Sequence, residues 1–164
     1  QKKWTSWSLA STGPKRYSGF SLRGITMDDS IYREQIIDLY EHPLNYGQLE
    51  TADWSYEEDN PLCGDVIRID VKLDDQNRVA EVAWSGDGCA ISQAAASLLT
   101  EEIKGMALED VRNFDKDELL ELIGVKLSMA RVKCALLSLK VLKAGAYGMP
   151  DPDAMRHAAD DQSH

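Results

Sequence analysis

From Asp65 the chain alternates: Ile67, Ile69, Val71 and Leu73 are interleaved with Arg68, Asp70 and Lys72. A period of two predicts a strand with one buried face. Asp74-Asp75-Gln76-Asn77 has turn chemistry. Residues Arg78 to Ser85 then predict the return strand of an antiparallel hairpin, with Ala80, Val82 and Trp84 on one face. Residues 48–62 read as a polar, acidic connection, and 50–60 offer a further strand. Elsewhere the period lengthens. Ile31, Ile36, Leu39 and Tyr40 predict a helix from Asp29 or Ser30 to about Glu41, ended by Pro43. Further helices are predicted over Ile91–Lys104, Asp115–Ile123 and Ala130–Ala146, the second closed by Gly124. The helix after Cys89 is built from small residues (Ala90, Ser92, Ala94, Ala95, Ala96, Ser97), which allow a neighbouring backbone to approach closely. The pattern predicts an α+β fold: a small antiparallel β-sheet of about three strands packed against helices.

Composition narrows what such a domain can do. A chain of 164 residues with 43% apolar content can form one domain with a real core. A net charge of −10 and a pI near 4.7 repel phosphate backbones, so no nucleic-acid partner is expected. No apolar run approaches a membrane span. Residues 1–26 differ from the rest: they hold five of the 18 basic residues and none of the 28 acidic ones, so the remainder carries −15. We read 1–26 as a non-core extension, expected to be disordered; 27–147 as the folded domain; and 148–164 as a disordered acidic tail. Met27 is a candidate native start, which favours an upstream extension or an added tail and a cytoplasmic protein. The alternative is an organellar (mitochondrial or plastid) leader, which shares this basic, acid-poor composition. A monomer or weak dimer is expected.

The chain has three cysteines, each where the pattern changes. Cys63 precedes the first strand of the hairpin, Cys89 follows Gly86-Asp87-Gly88 at a helix mouth, and Cys134 lies early in the last helix. An odd, sparse set does not suggest a disulfide scaffold. It suggests thiols kept reduced for metal or sulfur chemistry, the plain alternative being three buried apolar side chains. Cys63, Asp65, Cys89 and Cys134 together have the number and type of ligands that zinc or an iron–sulfur centre uses. Gly64 lets the backbone bend so that Cys63 and Asp65 can both point inward. A helix N-terminus at Cys89, and Arg131 and Lys133 beside Cys134, are expected to favour thiolate or persulfide. The separations of 26 and 45 residues are not those of a zinc ribbon. His42, at a helix C-terminus, is read as a dipole partner rather than a ligand.

The flanking segments say more. Residues 30–147 resemble the U-type iron–sulfur cluster scaffold family, which includes IscU, SufU and the N-terminal domain of NifU. The matching segments are Tyr32-Arg33 through His42-Pro43-Leu44-Asn45-Tyr46-Gly47, Pro61-Leu62-Cys63-Gly64-Asp65, Gly86-Asp87-Gly88-Cys89-Ala90-Ile91-Ser92 and Ala130-Arg131-Val132-Lys133-Cys134-Ala135, in family order. The resemblance implies an α+β fold with the site at one end. It implies a cysteine desulfurase dependent on pyridoxal phosphate as sulfur donor, and apo iron–sulfur proteins as recipients. It carries Cys63, Cys89 and Cys134 over as ligands of iron or a transient [2Fe-2S] cluster. Asp65 becomes the fourth ligand or the residue that keeps the cluster labile. Cys134 is the implied persulfide acceptor in the scaffold branch and Cys63 in the zinc-dependent branch. Lys133 replaces the His that precedes the third cysteine in the IscU branch, and Leu127-Ser128-Met129-Ala130 stands where that branch has a chaperone motif. The segments around Cys89 and Cys134 look like SufU, but without the insertion usual there.

The leading expectation is therefore a non-enzymatic scaffold that accepts sulfur, binds iron and hands a [2Fe-2S] cluster on. The second is a zinc-dependent sulfurtransferase with Zn2+ on the same residues. The third is a structural zinc-bound interaction domain.

Overall fold

A computed structural model describes residues 29–148, and the expectations for 1–26 and for the tail beyond Gly148 lie outside the described residues. The elements run α1 (Asp29–Glu41), β1 (Trp54–Asn60), β2 (Asp65–Leu73), β3 (Val79–Asp87), α2 (Ala90–Glu102), α3 (Leu108–Asn113), α4 (Lys116–Ile123) and α5 (Met129–Gly148). The three strands form one antiparallel sheet in the order β1-β2-β3. Helix α5 packs against α2, β1 and β2, and α1 packs on α2. This is the α+β arrangement that the alternation predicts.

The acidic connection contains a true strand. Residues of β1 pair with β2 from Trp54 opposite Val71 to Asn60 opposite Asp65. Its mostly exposed outer face explains why its sequence reads as a loop. The hairpin turn is tied by Asp74, whose Oδ1 accepts hydrogen bonds from the N–H groups of Gln76 (2.8 Å) and Arg78 (3.0 Å). The expected inner face of β3 needs correction. Val79 is buried and Ala80 exposed, because the register slips at Lys72/Leu73 and the resulting bulge reverses the alternation. Downstream, Val82 and Trp84 face the core as expected.

One helix face also differs from expectation. In α1, Ile36 and Leu39 are buried, whereas Ile31 and Tyr40 are about half exposed. The buried stripe runs through Tyr32, Ile36 and Leu39, at four- and three-residue steps, with the Tyr32 ring lying over Gly124. In α5, Val132 and Leu136 are only partly covered, while Ala135, Leu137, Val141 and Leu142 fill the core. Helices α2 and α5 are central, covered on most sides, so neither has a simple stripe. Helix α5 continues through Tyr147 and Gly148, beyond the predicted end. Helix α3 was not expected, being a single short segment of six residues.

The turn-rich segment after α1 has a structural task. Trp84 donates its backbone N–H to Asn45 O (2.9 Å) and its indole N–H to Leu44 O (2.8 Å), and Gly47 N–H donates to Trp84 O (2.8 Å). The outer edge of β3 is thereby covered, leaving β1 as the open edge among the described residues. No described helix is long and apolar enough to cross a membrane.

Candidate metal centre

The sheet end that holds Asn60, Asp65 and Asp87 meets the start of α2 and the first turns of α5. Two loops and one helix deliver the chemistry there. The turn between β1 and β2 is closed by hydrogen bonds from Cys63 N–H (3.2 Å) and Gly64 N–H (2.8 Å) to Asn60 O. Gly64 adopts φ 71°, a left-handed conformation that lets the chain reverse between Cys63 and Asp65. Cys63 is therefore exposed on the turn, while Asp65, the first residue of β2, is buried at 2% exposure. Cys134, in the second turn of α5, is buried, with its Sγ 3.5 Å from the Sγ of Cys63 and 3.5 Å from Ala130 O.

Ligand atoms of Cys63, Asp65 and Cys134 all lie within 4.8 Å of one another, close enough to bind one ion together. Cys89 stands outside that group of three but borders it. It is the N-cap residue of α2, half-buried, and its backbone N–H donates to Asp65 Oδ1 (3.1 Å). Burial pushes the Asp65 carboxyl up, but the nearby Cys63 thiol, Cys89 N–H, Ser92 hydroxyl and Cys89 thiol outweigh it and hold it below its ordinary value. The site thus keeps a buried carboxylate ionised. Its Oδ2 is buried without any hydrogen-bond partner. Buried anionic oxygens are ordinarily satisfied, and two thiols with a carboxylate make a donor set suited to zinc or iron. The residues present fit a cation.

The Cys134 thiol is pushed up to about 12, first by burial and then by Cys63 and Cys89. Arg131 and Lys133 are exposed and are not among the groups acting on it. His42 also lies apart, exposed beside Asp38 at 3.5 Å, and is not in the group of three.

Sequence reasoning missed the support around Asp65. A Cβ on Gly88 would meet Ser92 Oγ at 2.6 Å and Asp65 Cγ at 2.8 Å, so only glycine lets this loop close over the carboxylate. Ser92, fully buried, donates its hydroxyl to Cys89 O (2.9 Å), and Gln93 Nε2 donates to Gly88 O (2.9 Å). The three-residue step from Cys89 to Ser92 at a helix start was the available signal. Beside this centre a groove of about 700 Å3 is lined by α1, the start of α2, residues 125–127 and Arg131.

A family model described as the NifU-like N terminal domain matches residues 31–152. The zinc-dependent sulfurtransferase SufU of Bacillus subtilis is 37% identical over 134 residues, covering 71% of this chain and 90% of that protein. The iron–sulfur cluster assembly scaffold protein IscU of Haemophilus influenzae is 35% identical over 119 residues, covering 69% and 90%. A crystal structure assigned as a SUF-system scaffold from Fervidobacterium islandicum superposes with a TM-score of 0.58 at 29% identity, covering 73% of this chain and 99% of that one.

Proposed function

The chain belongs to the NifU-like N-terminal domain family, and on that premise we propose that it accepts sulfur and assembles a [2Fe-2S] cluster for transfer to apo-proteins. The single observation that carries this reading is the buried Asp65 carboxylate with an unsatisfied Oδ2 beside two thiols. Such a set binds a cation yet mixes a hard oxygen with soft sulfurs, which suits cargo that must leave. Cys63, Asp65, Cys89 and Cys134 are the proposed ligands. Cys63 is the proposed first sulfur acceptor, because it is the exposed thiol of the pair while Cys134 is buried and held protonated. Its thiolate attacks the terminal sulfur of the donor's cysteine persulfide, the donor thiolate leaves, and the persulfide remains on Cys63. The sulfur donor is a pyridoxal-phosphate-dependent cysteine desulfurase. A reducing compartment, the cytoplasm on this reading, keeps the three thiols free.

The zinc-dependent sulfurtransferase is the second reading. It is favoured by the same exposed Cys63 and by the 37% identity with a protein of that activity. There zinc would be held by the same four residues and supply charge that lowers thiol pKa values.

Transfer of radiolabelled sulfur from cysteine through the desulfurase tests the shared core of both readings. Label should appear on the chain and disappear in Cys63→Ser. Label retained in Cys63→Ser but lost in Cys134→Ser would remove Cys63 as first acceptor.

A further inference from the structure

Cys63 and Cys134 are in sulfur–sulfur contact, and contact between two thiols allows chemistry beyond shared ligation. The Cys134 Sγ lies 3.5 Å from the Cys63 Sγ, a separation at which reacting atoms are already poised. The two residues are 71 positions apart in sequence, so the fold makes this contact. Their surroundings are opposite: Cys63 is exposed on its turn, and Cys134 is buried in α5. Sulfur that arrives from solvent therefore meets Cys63 on the side away from Cys134. The incoming sulfur and the second thiol then flank the Cys63 Sγ, which is the arrangement that displacement at sulfur uses. A persulfide delivers sulfane sulfur, two electrons short of the sulfide in a [2Fe-2S] cluster. A pair of thiols that closes to a disulfide supplies those two electrons.

We infer that Cys134 is the resolving thiol for a persulfide on Cys63: it displaces the outer sulfur as hydrogen sulfide and leaves a Cys63–Cys134 disulfide. This rests on the reading of Cys63 as first acceptor. The Cys134 sulfur attacks the Cys63 Sγ, the inner sulfur of the persulfide. A bond forms between the two Sγ atoms. The bond from the Cys63 Sγ to the outer sulfur breaks, and the outer sulfur leaves with the bonding pair. It keeps the proton it carried in the persulfide and takes the one from the Cys134 thiol. Cys134 is oxidised and the outer sulfur is reduced, so this step needs no outside reductant. A dithiol then reopens the disulfide for the next round. Attack falls on the inner sulfur for two reasons. It is the atom held 3.5 Å away, and hydrosulfide is a less basic leaving group than the Cys63 thiolate. A metal on both thiols withholds them, so the step belongs to the metal-free chain.

A single-turnover experiment tests this. The full-length chain, reduced and stripped of metal, is mixed with desulfurase that carries a radiolabelled persulfide and has been freed of cysteine and other thiols. Released sulfide is trapped with monobromobimane, and the chain is mapped by mass spectrometry. About one labelled sulfide should appear per persulfide consumed, together with a Cys63–Cys134 disulfide. In Cys134→Ser the label should stay on Cys63, and sulfide release should fall to that of the desulfurase alone. The disulfide map of the native chain decides the matter even where Cys134→Ser fails to fold. Label held on Cys63 of the native chain without sulfide release would overturn the inference and uphold Cys63 as acceptor. Label that reaches Cys63 in neither chain would overturn both. Label passed intact to Cys134, a Cys63–Cys89 disulfide, or equal sulfide release by Cys134→Ser would overturn the inference alone.

Discussion

Cys63 and Cys134 sit 3.5 Å apart, yet they belong to opposite kinds of structure. One is exposed on a turn whose geometry rests on Gly64; the other is buried in a helix that crosses the core. The loop side, residues 60–65 and 86–89, brings backbone N–H groups and accessible sulfur. The helix side, α2 and α5, brings a fixed wall. A centre made only of wall would leave no thiol open to solvent, and one made only of loops could not keep a charged carboxylate out of water. The difference teaches that exposure and burial are divided between two halves of one candidate site.

The division is broken most severely from the wall. Leu142→Ala removes a fully buried side chain of α5 and should cost about 2–5 kcal/mol in urea unfolding, with metal content per folded chain unchanged. A lowered metal ratio in the folded fraction would mean the halves are not separable. Gly88→Ala strikes the junction. The added methyl displaces Asp65 or Ser92, and zinc affinity, by chelator competition, should fall by about 10–100-fold, the cost typical of disturbing a ligand's support. Alkaline pH sharpens the contrast. The Cys134 thiol rises from an ordinary 9.0 to about 12 in the metal-free fold, so the folded state favours the protonated form. That stability is full below pH 9.0 and is lost as pH rises toward about 12. Denaturant midpoints of the metal-free chain should show this limb, and Cys134→Ala should lack it. The smallest structural effect belongs to Cys63→Ser, which should change stability by under about 0.5 kcal/mol while abolishing sulfur acceptance.

How much of this was legible depended on range. Ile67, Ile69 and Val71 announced β2 because a period of two survives without tertiary context. Ala80 misled because a bulge leaves no mark on composition. The strand Trp54–Asn60 was hard to read because only Trp54 is buried, so its face carries no alternation. At the site, motifs located Cys63, Asp65 and Cys134, but no local rule places Gly88 and Ser92 around a carboxylate 23 and 27 residues away in sequence. Arg131 and Lys133 stand beside Cys134 in sequence but differ from it in burial. Neighbours in sequence on a helix point around its axis, and these two face solvent while Cys134 faces inward.

The most direct test of the central claim is the metal and acid-labile sulfide content of the full chain purified without oxygen, alongside Asp65→Ala. The account predicts bound metal in the native chain: iron with matching sulfide and visible charge-transfer absorption for the scaffold, zinc without sulfide for the sulfurtransferase. Asp65→Ala should alter it, prolonging cluster retention in the first case and lowering zinc content in the second. A native chain with neither metal, and with all three thiols unreactive until denatured, would contradict the account.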